Sequence, residues 1–153
     1  MPVVVSKFGG SSVGSAAAVR RVALLIRPQS VFVLSAAYGV TNLLVDAAVP
    51  VASRIDRAVG VYADMASDLL PHGRFEAGAV VDMTDASNPC SVAGLGERLS
   101  CELFASYARE IVGVAAQAVH ADRGLIWQDG SVGRLPPDCL PVVTGFIAQG
   151  RAG

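Results

Sequence analysis

Lysine is almost missing from this chain. Lys7 is the single lysine among 153 residues, and every other basic side chain is arginine. Charge of either sign is scarce: 16% of residues are charged and the formal net charge is −1. That excludes the basic footprint a nucleic-acid partner needs. Hydrophobic residues make up 52%, too many for a disordered tail. The three cysteines, Cys90, Cys101 and Cys139, are odd in number, widely spaced and without a Cys-x-x-Cys pair. They exclude a disulfide framework and suit the reduced thiols of a cytoplasmic protein. His72 and His120 stand far apart, a poor metal set, so no metal site is expected. No apolar run approaches the roughly 18 residues of a membrane helix, and the start lacks a signal peptide's basic-then-apolar layout. Neither Gly-x-Gly-x-x-Gly nor Gly-x-x-x-x-Gly-Lys occurs. No internal repeat or low-complexity linker divides the chain, and its length fits one domain with a real core.

What is present is organised around the beginning. Val3-Val4-Val5 is a short β-branched run that suits an interior parallel strand. Gly9 and Gly10 follow; without Cβ atoms they let the backbone turn sharply and approach a ligand. Ser11, Ser12 or Ser15 can cap a helix over Ala16 to Ile26. A helix start behind a glycine turn is a ready anion site, and Lys7 beside it offers a compact point charge. Many such turns bind nothing, so spacing alone leaves a phosphate site and a plain strand-to-helix turn both open.

Farther along, Ser15 to Ile26 has Ala16, Val19, Ala23 and Ile26 at helical spacing, stopped by Pro28. Val31 to Leu34 reads as a second buried strand, and Ser35 to Asn42 as a turn of small and hydroxyl residues before a helix near Leu43. Two strand–helix units with short connections imply a parallel sheet, whose ligands gather at the carboxyl ends of the strands. Val49 to Leu70 predicts a helix with Arg54, Asp56 and Arg57 on a solvated face. Glu76 to Met83 reads as helix and 85–89 as loop. Leu95 to Val112 is a helix whose core stripe is Leu99, Leu103, Phe104, Tyr107 and Ile111. Glu97 in its first turn reads either as a dipole-stabilising acid or as a substrate contact. Ala115 to His120 and Pro141 to Ile147 complete four strands, with a small hairpin expected around Gly130-Ser131.

Four separated segments agree on one resemblance. Ser6-Lys7-Phe8-Gly9-Gly10-Ser11-Ser12-Val13 resembles the N-terminal signature of aspartokinases, of the amino-acid kinase superfamily. Leu34 to Leu44, Gly96-Glu97-Arg98-Leu99-Ser100 and Val142 to Ile147 resemble three further motifs, in family order. The resemblance implies a three-layer αβα sandwich with a mainly parallel sheet, and phosphorylation of the L-aspartate side-chain carboxylate by ATP with Mg. It implies catalytic roles for Lys7 and Gly10, with Lys7 offsetting phosphoryl charge and Gly9, Gly10 and Ser11 donating to ATP phosphates. Ser35 and Thr41 would hold aspartate, Glu97 would receive its ammonium group, and Gly145 and Phe146 would line the amino-acid site.

This sequence also departs from the family pattern. Tyr38 stands where the family has serine, a change expected to crowd the pocket or alter its selectivity. The chain reads as the N-terminal, amino-acid-binding portion of the catalytic domain, over 1–153, without the nucleotide-binding half or a regulatory domain. The expectation is therefore a kinase inactive alone, either a fragment of an aspartokinase or one completed by a separate chain with the missing half, its partner a second copy or that complementing chain. The alternative is an inactive amino-acid-binding or dimer-partner module derived from an aspartokinase.

Overall fold

Val4–Phe8 (β1), Ser30–Leu34 (β2), Ala116–Val119 (β3) and Leu140–Thr144 (β4) form one sheet in the order β1-β2-β4-β3. Every neighbouring pair is parallel, as the strand–helix alternation predicts. The computed structural model describes residues 3–73, 75–121, 135–136 and 138–145. Among the described residues no helix is long and apolar enough to cross a membrane.

The register assigns the two faces. Phe32 and Leu34 of β2 share one face with Val142 of β4, and all three are completely buried in the main core. Phe32 packs its ring edge-on to Phe8 at 4.9 Å and tilted to Phe104 at 5.6 Å. Burying side chains of this size stabilises by about 1.5–3 kcal/mol each. Val31, Val143 and Ala121 form a smaller apolar cluster on the other face, with Val33, Val119 and Leu135 against it. Apolar residues on both faces are what a parallel sheet covered on both sides requires.

The helices are Ala16–Ala23 (α1), Val40–Val45 (α2), Val51–Leu69 (α3), Ala77–Asp82 (α4), Pro89–Ala93 (α5) and Leu95–Tyr107 (α6). Ser15 caps α1, its Oγ accepting from the Ala18 amide at 3.2 Å. Helix α6 is the centre of the molecule. All of its residues except Glu102 are buried, because it is wedged between the sheet and α3. A helix buried all round has no solvated stripe, and Gly96, Ser100, Cys101 and Ala105 supply the small side chains this position needs.

Several sequence expectations need correction. β1 is an edge strand, not an interior one: Val3, Val4 and Val5 are 62%, 53% and 64% exposed. Helix α1 stops at Ala23 rather than Ile26, because the amides of Leu24, Leu25 and Ile26 turn back tightly to Arg21, Val22 and Ala23. After Tyr107 the chain widens into a π turn over Ala108–Val112, which swings Ile111 out of the core stripe to half exposure. Arg54 is tucked in, donating to the Leu44 carbonyl at 2.8 Å, while Asp56 and Arg57 are exposed. The stretch expected as loop runs into α5 at Pro89, with Asn88 as its cap. The expected hairpin lies outside the described residues.

Candidate active site

The carboxyl ends of β1 and β2 are sewn together by their own backbone. The Ser35 amide donates to the Phe8 carbonyl and the Tyr38 amide to the Gly10 carbonyl, both at 3.1 Å. Gly10 is needed for this approach: a Cβ there would stand 2.7 Å from the Ala36 carbonyl oxygen. The turn after β2 then meets the first turn of α6 just as closely. A Cβ on Gly96 would lie 2.6 Å from the Ala36 Cβ. With glycine at both contacts, three separate chain segments converge on one rim.

They enclose a cleft of about 580 Å³ lined by Lys7, Gly9, Gly10, Ser35, Thr41 and Glu97, together with the 36–39 turn and Asn42. Glu97 is 5% exposed and Ser35 7%. Its own amide and that of Ala36 favour the charged Glu97 carboxylate, yet its Oε2 has no hydrogen-bond partner. Ser35 Oγ has none either. Burial pushes the Glu97 carboxyl above the usual carboxylate range; the two amides and the Arg98 charge pull against that without reversing it. Lys7 and Thr41 are exposed on the same cleft. Tyr38 stands at its mouth, 85% exposed.

Thus Lys7, Gly9, Gly10, Ser35, Thr41 and Glu97 are brought together, although 90 positions separate Lys7 from Glu97. Ser11 is not with them. It lines a neighbouring 280 Å³ pocket with Ser12, Phe8 and Arg21. Gly145 is buried just past β4, its amide donating to the Leu34 carbonyl at 2.7 Å, and is not part of the cleft lining. Phe146 lies outside the described residues.

Sequence reasoning missed Tyr62. It sits on the buried stripe of α3 with Ile55, Ala58, Met65 and Leu69, and is itself completely buried. Its hydroxyl receives the Ala37 amide and reaches the Gly96 carbonyl and Ser100 Oγ, each at 2.8 Å. The available signal was the residue type: a phenol on an apolar stripe needs a polar partner that phenylalanine would not.

Chemically the cleft holds one ammonium group, one buried carboxylate and two aliphatic hydroxyls, with the Tyr38 phenol at its mouth. That set complements a small ligand carrying both charges, the carboxylate meeting a cation and the lysine an anion. Among the described residues no group of three His, Cys, Asp or Glu side chains is placed to hold a metal ion.

No model of a known protein family matches the chain. It is 31% identical over 180 residues to an aspartokinase of Chlamydia muridarum, an alignment covering 98% of this chain and 40% of that protein. Its fold matches E. coli aspartokinase III in complex with lysine and aspartate, with a TM-score of 0.71 and 26% identity over 95% of this chain and 41% of that one. The same enzyme with aspartate and ADP gives 0.67 and 24%, over 96% and 41%. The chain therefore shares the amino-acid kinase fold and is similar to aspartokinases along nearly its whole length. It spans about 40% of the length of the curated relative it matches.

Proposed function

We propose that the cleft is an L-aspartate site, and that the chain is the amino-acid-binding part of an aspartokinase-type phosphotransferase. One observation carries the reading: Glu97 Oε2 and Ser35 Oγ are buried on one cleft and neither has a partner. Buried polar atoms left unpaired cost about 1–3 kcal/mol each, which a ligand that pairs them recovers. An amino acid supplies both kinds of group, an ammonium for Glu97 and a carboxylate for the hydroxyls of Ser35 and Thr41.

In the proposed reaction an oxygen of the aspartate side-chain carboxylate attacks the terminal phosphorus of MgATP. A new oxygen–phosphorus bond forms and the bond to the ADP oxygen breaks. No protein nucleophile is required, so positioning and charge neutralisation supply the catalysis. Lys7 offsets charge on the transferring group. Gly9 and Gly10 line the cleft beside it, with Ser11 as a further donor to the nucleotide. Magnesium enters with its phosphates, as hard oxygen-seeking ions do.

The position of Ser11, in a different pocket from Lys7 and Gly10, favours a second reading: an aspartate-binding module without turnover. Calorimetry with L-aspartate tests what the two share. The wild-type chain should bind and Glu97→Ala should abolish binding; equal binding by both returns Glu97 to the role of a helix-end acid. Trapping aspartyl phosphate with hydroxylamine in the presence of MgATP then separates the readings, since only the kinase yields the hydroxamate.

A further inference from the structure

The Tyr62 hydroxyl is used to its full capacity. A phenol has one proton to give and two lone pairs to share. It takes the Ala37 amide proton and gives its own to the Gly96 carbonyl, so Ser100 is the donor in the third bond. The three partners come from the turn after β2 and the first two turns of α6. Burial pushes the phenol far above its ordinary pKa, so it keeps its proton.

A parallel link runs one residue away. The Ala36 amide favours the charged Glu97 carboxylate, and it is next in the chain to the Ala37 amide that donates to Tyr62. Gly96, whose carbonyl Tyr62 holds, directly precedes Glu97 in the chain. The phenol therefore grips the chain neighbour of Ala36 on one side and that of Glu97 on the other. Core filling alone explains the ring but not the oxygen, which phenylalanine would omit.

We propose that Tyr62 is the positioning residue of the cleft: its hydroxyl joins the 36–37 turn to α6 and so holds the Glu97 carboxylate in place for a ligand's ammonium group. The ligand half of this proposal rests on the amino-acid reading above; the tether itself does not. Without the hydroxyl, the Ala37 amide, the Gly96 carbonyl and Ser100 each lose a bond. The turn relaxes, and the Ala36 amide withdraws from Glu97. A carboxylate that loses an amide donor in a buried site holds its proton more tightly. The titratable groups facing Glu97 are Arg98 and Cys101 on its own helix, Tyr62 from α3 and Lys7 from β1 across the cleft.

The experiment follows the Glu97 side-chain carboxyl carbon by NMR as a function of pH in the ligand-free chain, beside calorimetry with L-aspartate. For Tyr62→Phe the Glu97 midpoint should move up from its wild-type value, and aspartate affinity should fall about tenfold, the weight of one hydrogen bond to a charged group. An unchanged midpoint overturns the tether. Ile55→Val, in the same helix but away from the cleft, loosens the core without touching these bonds. If it moves the midpoint as far, the effect is general softening and the proposal is wrong. Should Tyr62→Phe not fold, Ser100→Ala removes one of the three bonds and should move the midpoint the same way by less; no movement overturns the proposal. A wild-type chain that binds no aspartate, with a midpoint that still shifts in Tyr62→Phe, rejects the amino-acid reading and upholds the tether.

Discussion

Two cavities of nearly equal size lie at opposite ends of the sheet. One is the 580 Å³ cleft at the carboxyl ends of β1 and β2; the other, of 590 Å³, opens at the amino ends of β2, β3 and β4. The second is lined by Ile26, Val114, Ala115 and Leu140 with Arg27, Ser30, Asp138 and Cys139. Two of its polar side chains, Ser30 and Arg27, are already engaged. Ser30 Oγ accepts from the Arg27 amide at 3.1 Å, and the Arg27 guanidinium closes the end of the first helical segment on the carbonyls of Leu24 and Ile26. None of the partnerless buried side-chain atoms among the described residues lines it, whereas Ser35 Oγ and Glu97 Oε2 line the other. Volume does not distinguish these cavities. Unfinished hydrogen bonding does, because a native interior rarely leaves such groups unpaired without a use.

The sharpest way to break this contrast is to remove one cation from each end. Lys7→Ala should weaken binding of MgATP or inorganic tripolyphosphate by tenfold or more, roughly the weight of a charge-assisted hydrogen bond. Arg27→Ala should leave that affinity unchanged, since its guanidinium is engaged with helix-end carbonyls. Calorimetry or a filter-binding titration measures both. Equal losses would mean that phosphate responds to net charge and not to the rim.

Packing offers a second, smaller contrast, between two helical glycines. Gly96→Ala places a methyl 2.6 Å from the Ala36 Cβ and 3.1 Å from Val40 Cγ1. Overpacking of this kind costs about 1–3 kcal/mol, and here it also drives α6 away from the turn, so aspartate binding should fall as well. On α3, Gly60→Ala meets nothing within 4 Å and is exposed. It should stabilise the chain by about 0.5–1 kcal/mol through helix propensity, with binding untouched. Urea unfolding of both variants measures the difference. A neutral Gly96→Ala would show that the two walls of the cleft are not in rigid contact.

The rim was more legible in the sequence than the core that supports it. Lys7, Gly9 and Gly10 sit at a strand-to-helix turn, and a parallel sheet sends such turns to one edge, so local pattern sufficed. The same pattern failed for Val3 to Val5. A β-branched run reports strand propensity and says nothing about what covers the strand, and β1 turned out to be an edge. Ile111 failed for a different reason: the periodicity assumed a regular helix, and the π turn broke the phase. Tyr62 was hidden because its partners lie 25, 34 and 38 positions away. Ser11 belongs to the same motif as Lys7 and Gly10, yet the short 3-10 turn at Gly10–Ser12 leaves it in the neighbouring pocket. Motif membership gave proximity along the chain and not a shared wall.

The smallest expected effect tests whether the rim is held ready at a cost to the fold. Burial raises the Glu97 carboxyl above its unfolded value, so the native chain binds that proton more tightly than the unfolded chain. Stability from this group is then fully present below the ordinary glutamate range, near pH 4.3, and declines as pH rises through the raised native value. Glu97→Gln mimics the protonated form. It should melt above wild type at neutral pH, with the gap closing as pH falls to the glutamate range. L-aspartate should reverse the order at neutral pH, because an ammonium beside the carboxylate stabilises its charged form and the glutamine gains nothing comparable. The amino-end cavity has no buried carboxylate among its described lining, so no substitution there should reproduce the pattern. Thermal melts across pH, with and without aspartate, decide the matter. A gap that ignores both pH and ligand would make Glu97 an ordinary packed side chain and leave the two cavities alike.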